Sequence, residues 1–225
     1  MVWHQNQVEC RDLVITRGGN VVADALSFTL ARGDFVQLEG ANGAGKSSLL
    51  LALAGFLAPG SGSIHFIGDG GTVMRAQERS QCIGYLGHEN ALKPYDQPLR
   101  EWVDCAALFG TEESEPHSYF SGLISRLDLV DLIKRPIREL SAGQKRRVAL
   151  ARLFVLRRPI WLLDEPLSGI DQASRAILGQ YFAEFRNEGG IILAASHETL
   201  PGAPNRILRL QPVSRHKAGQ ASEAS

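Results

Sequence analysis

Long apolar runs are missing from this chain. The longest, residues 49–58, is interrupted by Gly55, and a membrane-spanning helix needs about 20 apolar residues. Residues 1–5 show no basic stretch leading into an apolar one, so no signal peptide is expected. If the protein works at a membrane, another chain does the spanning. Net charge is missing too. Lys+Arg and Asp+Glu stand at 24 each, which argues against the one-signed surface that nucleic acid or an anionic bilayer would attract. Cysteine is sparse: Cys10, Cys82 and Cys105 lie far apart, with no CxxC pair and no histidine at ligand spacing. Reduced thiols acting as small buried hydrophobes in a cytoplasmic protein are the expectation. There is no internal repeat and no heptad insertion.

With 225 residues and 44% hydrophobic content, the chain can bury one substantial core. Residues 8–16 and 25–30 read as strands of an antiparallel flap, joined through Gly18-Gly19-Asn20. Residues 34–39 form a further strand that runs into a glycine-rich loop and a helix at 46–53, with more strand signals at 63–66 and 83–86. Three- and four-residue apolar spacing then predicts helices at 99–109, 119–127 and 142–154. Strands return at 159–163 and 190–195 with a helix at 171–186 between them, a βαβ rhythm. The expected architecture is one α/β domain, residues 1–211, with a helical block at about 90–156 and a flexible polar tail at 212–225.

Gly40-Ala41-Asn42-Gly43-Ala44-Gly45-Lys46-Ser47 fits G-x-x-x-x-G-K-[ST] between a predicted strand and a predicted helix. Backbone N–H groups must wrap phosphate oxygens here, and side chains would block the approach. The following helix, which also carries Ser48, turns its positive end to the same anion. Lys46 supplies a point charge for the outer phosphates, and the Ser47 hydroxyl suits Mg²⁺. A glycine-rich turn without a ligand would need neither residue.

Leu140-Ser141-Ala142-Gly143-Gln144 resembles the LSGGQ-like signature of ABC (ATP-binding cassette) ATPases, and it stands ahead of a predicted helix. Further on, Ile160-Trp161-Leu162-Leu163-Asp164-Glu165-Pro166 is an apolar strand ending in two carboxylates, similar to a Walker B segment. Ser168-Gly169-Ile170-Asp171 resembles a D-loop, and His197 follows a strand as a switch histidine does. The resemblance implies a P-loop NTPase fold of the ABC type. It implies Mg²⁺ held by Ser47 and Asp164, water activated by Glu165, and the γ-phosphate sensed by His197. Ser141, Gly143 and Gln144 would face the nucleotide of a second copy, so that a head-to-tail dimer encloses two ATP molecules. Many relatives stack an aromatic on adenine about 29 residues before the lysine; here Arg17 holds that position, and its guanidinium plane can stack on a purine or lie solvated on its strand.

Tyr85-Leu86-Gly87-His88, the block from Leu140 to Leu153, and Trp161 to Pro166 with Ile170-Asp171 are most similar to the ATPase subunit of the cytochrome c maturation system, the haem exporter. That resemblance implies integral membrane partners and a peripheral position on the cytoplasmic face of a bacterial inner membrane. It implies no haem bound by this chain itself. An ATPase of another small efflux transporter is the alternative; a non-transport ABC protein or a module without hydrolysis fits less well. In relatives a glutamine follows the Gly-His pair and its carbonyl touches Mg²⁺, whereas this chain has Glu89. A carboxylate is an acceptable Mg²⁺ ligand, but at contact distance it repels the γ-phosphate by about 1–4 kcal/mol. The helical block is the expected docking surface for membrane chains, with Trp102 and Phe109 either lining a groove there or serving as core.

Replacing Lys46 by alanine should abolish tight ATP binding, because the phosphates lose their close ammonium partner. Calorimetry on the variant checks this; retained micromolar affinity would contradict the phosphate-loop assignment.

Overall fold

The computed structural model describes residues 6–108 and 116–213. Two sheets organise them. Strands β1 (Gln7–Arg17), β2 (Asn20–Leu30) and β4 (Ser61–Ile67) form an antiparallel sheet in the order β2-β1-β4. Strands β3 (Phe35–Glu39), β5 (Ile83–Leu86), β6 (Ile160–Asp164), β7 (Ile191–Ala195) and β8 (Arg206–Arg209) form a parallel sheet in the order β5-β6-β7-β3-β8. Helices are α1 (Lys46–Ala54), α2 (Ala76–Cys82), α3 (Pro98–Leu108), α4 (Pro116–Arg126), α5 (Ala142–Leu156) and α6 (Gln172–Asn187). None is long and apolar enough to cross a membrane, among the described residues.

The inner strands β6 and β7 are almost wholly apolar because both faces of the sheet are covered there. Alternation then sends neighbouring residues into different cores. Ile160 and Leu162 of β6 join Val36, Leu38, Leu193 and the α1 leucines beneath the antiparallel flap. Trp161 and Leu163 point the other way, with Phe35, Ile192 and helices α3 to α6. Leu49, Leu50 and Leu53 of α1 are fully buried between flap and sheet, each stabilising by roughly 1.5–3 kcal/mol over exposure. On the helical side Trp161 stacks on Phe185 with ring centroids 3.7 Å apart and meets Phe154 edge-on at 4.8 Å.

Several expectations need adjusting. The flap hairpin closes through Gly18 and Gly19 alone, both at positive φ, so Asn20 already belongs to β2. That is the backbone demanded by a two-residue hairpin turn. β2 starts five residues before the expected 25–30 because it runs through an irregularity at Ala25, φ 49°, whose neighbour Asp24 is a poor strand former. The exposed, polar α2 and the edge strand β8 gave no periodic apolar signal and went unread. Trp102 is no groove residue: it is fully buried and donates from Nε1 to the carbonyl of Val148 at 3.1 Å, tying α3 to α5. Phe109 and residues 214–225 of the expected tail lie outside the described residues.

Candidate nucleotide site

Strands β6, β7 and β3 are neighbours, and their carboxyl ends finish together: Asp164 pairs with Ala195, and Leu38 pairs with Ala195 from the other side. Crevices outside the carboxyl ends of parallel strands are where α/β folds bind ligands. The glycine loop leaves β3 here, the two carboxylates leave β6, and His197 follows β7.

The loop is close-packed from behind. Gly45, the N-cap of α1, has φ 91°, and a Cβ there would stand 2.5 Å from the carbonyl of Val22 in β2. Gly40 is pressed against the carbonyl of Leu210, 2.8 Å from where its Cβ would sit. Lys46 is only 8% exposed, yet Nζ donates to the loop carbonyls of Gly40 at 2.7 Å and Ala41 at 3.3 Å. No carboxylate lies within ion-pair distance of it among the described residues. A buried cation with neutral partners alone is costly, and a polyphosphate seated in the loop would supply the missing charge. Ala41, Asn42 and Gly43 are exposed, Ala44 and Ser48 are buried, and Ser47 is half-buried. The residues therefore fit a nucleotide phosphate chain.

His197 Nε2 stands 3.4 Å from Lys46 Nζ and 3.6 Å from Glu165 Oε1. Lys46, His197 and Glu165 are thus brought together from three strand ends. Asp164 is buried beside Glu165. Glu165 itself has φ 48°, an unusual conformation for a side-chain-bearing residue, held in part by its N–H donating to the carbonyl of Ala195 at 2.9 Å. Such a residue costs of order 1–3 kcal/mol and persists only where its surroundings impose it.

The signature residues are not brought to this cluster. Ser141 caps α5, its Oγ accepting from the Gln144 N–H at 3.2 Å while Gln144 Oε1 accepts from the Ser141 N–H at 2.9 Å, a capping box. Ser141 and Ala142 are exposed. Gly143 faces Gly169: a Cβ there would come within 2.3 Å of the Gly169 carbonyl. Next along, Asp171 caps α6 by accepting from the Ser174 N–H at 2.9 Å, and this bond, with one from the Ser174 hydroxyl, lowers the carboxyl below its ordinary value. Glu89 is exposed on the loop after β5, and His88 beside it is exposed as well. Arg17 is exposed at the hairpin turn opposite Asn20, on the strand pair whose Val22 roofs the glycine loop.

Four residues escaped the sequence reading. Gln37, buried in β3, donates to the carbonyl of Glu198 at 3.1 Å and accepts from the Leu200 N–H at 3.2 Å, fixing the segment after His197. Arg175 donates to the carbonyl of Ile170 at 2.9 Å and pairs with Glu198, joining the turn before α6 to that same segment. Arg146 and Asn90 bind each other across the site's edge. Gln37, Asn90 and Arg175 lie outside the motifs, and Arg146 lies within the signature block without a role assigned to it. The three thiols are raised by burial, Cys10 to about 12 with help from Glu9, and sit as poorly reactive apolar side chains.

Gly143→Ala should lower thermal stability and ATP hydrolysis together, since the new methyl must displace the Gly169 backbone. A melting temperature and hydrolysis rate both at native values would show that the two loops can part without consequence.

The chain is similar to known proteins in sequence and in fold. The ABC transporter family model matches residues 23–168. The cytochrome c biogenesis ATP-binding export protein CcmA of Rhodopseudomonas palustris (strain HaA2) is 40% identical over 200 residues, covering 89% of this chain and 96% of that protein. The CcmA of Haemophilus influenzae is 34% identical over 210 residues, covering 93% and 97%. Among solved structures, a putative ABC transporter ATP-binding protein from Pyrococcus furiosus aligns with a TM-score of 0.77 at 26% identity over 91% of this chain and 97% of its own. The ATP-binding cassette MJ0796, a dimer bound to ADP and Pi, shares the fold with a TM-score of 0.75 at 18% identity, covering 92% and 97%. The chain belongs to the ABC transporter family, as an ATP-hydrolysing subunit of the CcmA type.

Proposed function

We propose that this subunit spends ATP on haem delivery for cytochrome c maturation, docked on integral membrane subunits at the cytoplasmic face of a bacterial inner membrane. The observation that carries the hydrolytic part is the buried Lys46 ammonium, without a counter-ion among the described residues, beside His197 and Glu165. The haem part rests on the similarity to the CcmA proteins.

In this reading Lys46 exchanges its two loop carbonyls for the outer phosphates of ATP, while the loop amides of residues 40–47 and the head of α1 hold the chain of oxygens. Glu165 orients the attacking water and takes its proton, worth about 10²–10⁴-fold in rate. His197 already lies within reach of both Lys46 and Glu165, and it contacts the γ-phosphate and registers its departure. Ser47, Asp164 and Glu89 would hold Mg²⁺, which neutralises charge on the transferred phosphoryl group when bound. Arg17 supplies a plane for the base. The exposed Ser141, with Gly143, Gln144 and the head of α5, caps the nucleotide of a second copy, so two chains enclose two ATP molecules; a helix N-terminus adds about 0.3–1 kcal/mol of anion stabilisation. Residues 1–211 act as one ATPase unit, with the block at 90–156 meeting the membrane chains.

Glu165→Gln should keep ATP binding, slow hydrolysis by about 10²–10⁴-fold, and hold the dimer. Size-exclusion chromatography with ATP·Mg²⁺ reads the assembly. A variant that stays monomeric, or turns over at the native rate, sinks the assigned role.

Glu89 can be tested by its cation dependence. Without Mg²⁺ its carboxylate and the triphosphate repel, so hydrolysis should depend steeply on Mg²⁺ in the native chain and less steeply in Glu89→Gln. Glu89→Gln should be at least as active as the native chain, and Glu89→Ala less active. Three superimposable rate curves against Mg²⁺ would mean that Glu89 points away from nucleotide.

A further inference from the structure

Arg146 is 2% exposed and spreads its donors over two segments, residues 164–166 and the loop 87–90. Nε donates to the carbonyl of Pro166 at 3.2 Å, and Nη2 to the carbonyls of Asp164 and Glu165, the latter at 2.8 Å. Nη1 donates to the carbonyl of Gly87 at 2.8 Å and to Asn90 Oδ1 at 2.9 Å. Every one of these acceptors is a neutral oxygen. A buried guanidinium without a carboxylate bonded to it is an expensive way to fill space, and an apolar side chain would pack α5 against β6 at less cost. What only the planar fork provides is simultaneous reach in several fixed directions. It gathers three successive carbonyls, 164 to 166, and so helps impose the left-handed backbone at Glu165. With Nη1 it also anchors the loop that carries Glu89. Arg152, six residues further along α5, holds the far side of the same loop through the carbonyls of Asn90 at 3.1 Å and Ala91 at 2.8 Å.

We propose that Arg146 is a positioning residue for ATP hydrolysis: it locks the carboxylate-bearing end of β6 and the loop 87–90 to the signature helix α5, so that the three shift as one body on nucleotide binding. The proposal rests on the reading of Asp164, Glu165 and Glu89 as nucleotide-facing. Burial pushes the Arg146 guanidinium down to about 10, with Asp164 and Glu165 opposing the shift, so the cation persists at neutral pH. Arg146 acts through the residues it holds.

The test uses the full-length chain as native, Arg146→Gln, Arg146→Lys and Asn90→Ala forms, with melting curves to verify folding. Arg146→Gln should leave the KM for ATP within about twofold while kcat falls about 10- to 100-fold, as displacement of catalytic groups does. Arg146→Lys, which keeps charge but loses the fork, should recover only part of that loss. Asn90→Ala removes a single loop-side bond and should cost about fivefold in kcat, the loss expected of one hydrogen bond. Hydrogen exchange gives a readout independent of turnover. ATP·Mg²⁺ should protect amides 40–47 in all forms, and amides 86–91 in the native chain but not in Arg146→Gln. Native kcat, or native protection of 86–91, in a folded Arg146→Gln overturns the proposal. Should Arg146→Gln not fold, native kcat and native protection in Asn90→Ala overturn it equally. A native chain whose 40–47 amides ignore ATP·Mg²⁺ overturns the nucleotide-site reading and the proposal with it, and that control tells the two failures apart.

Discussion

Backbone hydrogen bonds between β6, β7 and β3 bring three chain ends to one edge of the parallel sheet. The glycine loop, the paired carboxylates and His197 are separated by more than a hundred residues of sequence at the extremes, yet each leaves a neighbouring strand at the same level. No side-chain contact is needed to recruit them. The ladder requires that both faces of these strands be buried, and the alternation of Ile160, Trp161, Leu162 and Leu163 between two cores meets that requirement. A one-residue slip of β6 would exchange these faces and move Asp164 out of line with Ala195. Registry in the sheet and geometry in the site are therefore one constraint.

Around that edge the chain sets cations against carbonyls, at Lys46 and Arg146, and together with an ion pair at Arg147 with Asp128 and at Arg152 with Glu101. Lys46 bonds Gly40 and Ala41; Arg146 bonds Asp164, Glu165, Pro166 and Gly87; Arg147 bonds Leu127 and Asp128; Arg152 bonds Asn90 and Ala91. The irregular segments between strands and helices have no ladder to satisfy their carbonyls, and a buried unsatisfied group costs about 1–3 kcal/mol. Long cationic side chains from a single helix answer that need for several loops at once. Only Lys46 belongs to a loop whose amides could also wrap an anion, which separates it from the three arginines of α5.

The phosphate loop, the carboxylate pair and His197 were legible because their chemistry dictates residue type at fixed spacing. Strands β6 and β7 were legible because burial on two faces writes a nearly unbroken apolar run. Arg146, Gln37 and Arg175 were not, since a side chain that donates to carbonyls needs only donors and a direction, and the direction is set by packing. β8 was hidden for a related reason: an edge strand such as Arg206-Ile207-Leu208-Arg209 is paired on one side only and carries polar residues outward. Trp102 was ambiguous between groove and core because hydrophobicity alone does not say which side of a helix is covered; its Nε1 bond to Val148 does.

The signature glycine shows how one residue type can satisfy two demands. In the proposed dimer a glycine at 143 would let phosphate approach a helix terminus, but within a single chain Gly143 is already required by contact with the Gly169 carbonyl. That contact joins the start of α5 to the turn before α6, and Arg175 carries the connection on to Glu198, next to His197. A second chain arriving at Ser141 would therefore push on a surface already linked, through Gly169 and Arg175, to the segment that carries His197. The same helix start is tied through Arg146 to Asp164, Glu165 and the loop of Glu89. Two connections thus run from the start of α5 toward the cluster at the strand ends, one through the Gly143–Gly169 contact and Arg175, the other through Arg146. Displacing the exposed end of α5 would strain both connections at once, the Gly143–Gly169 contact and the Arg146 bonds.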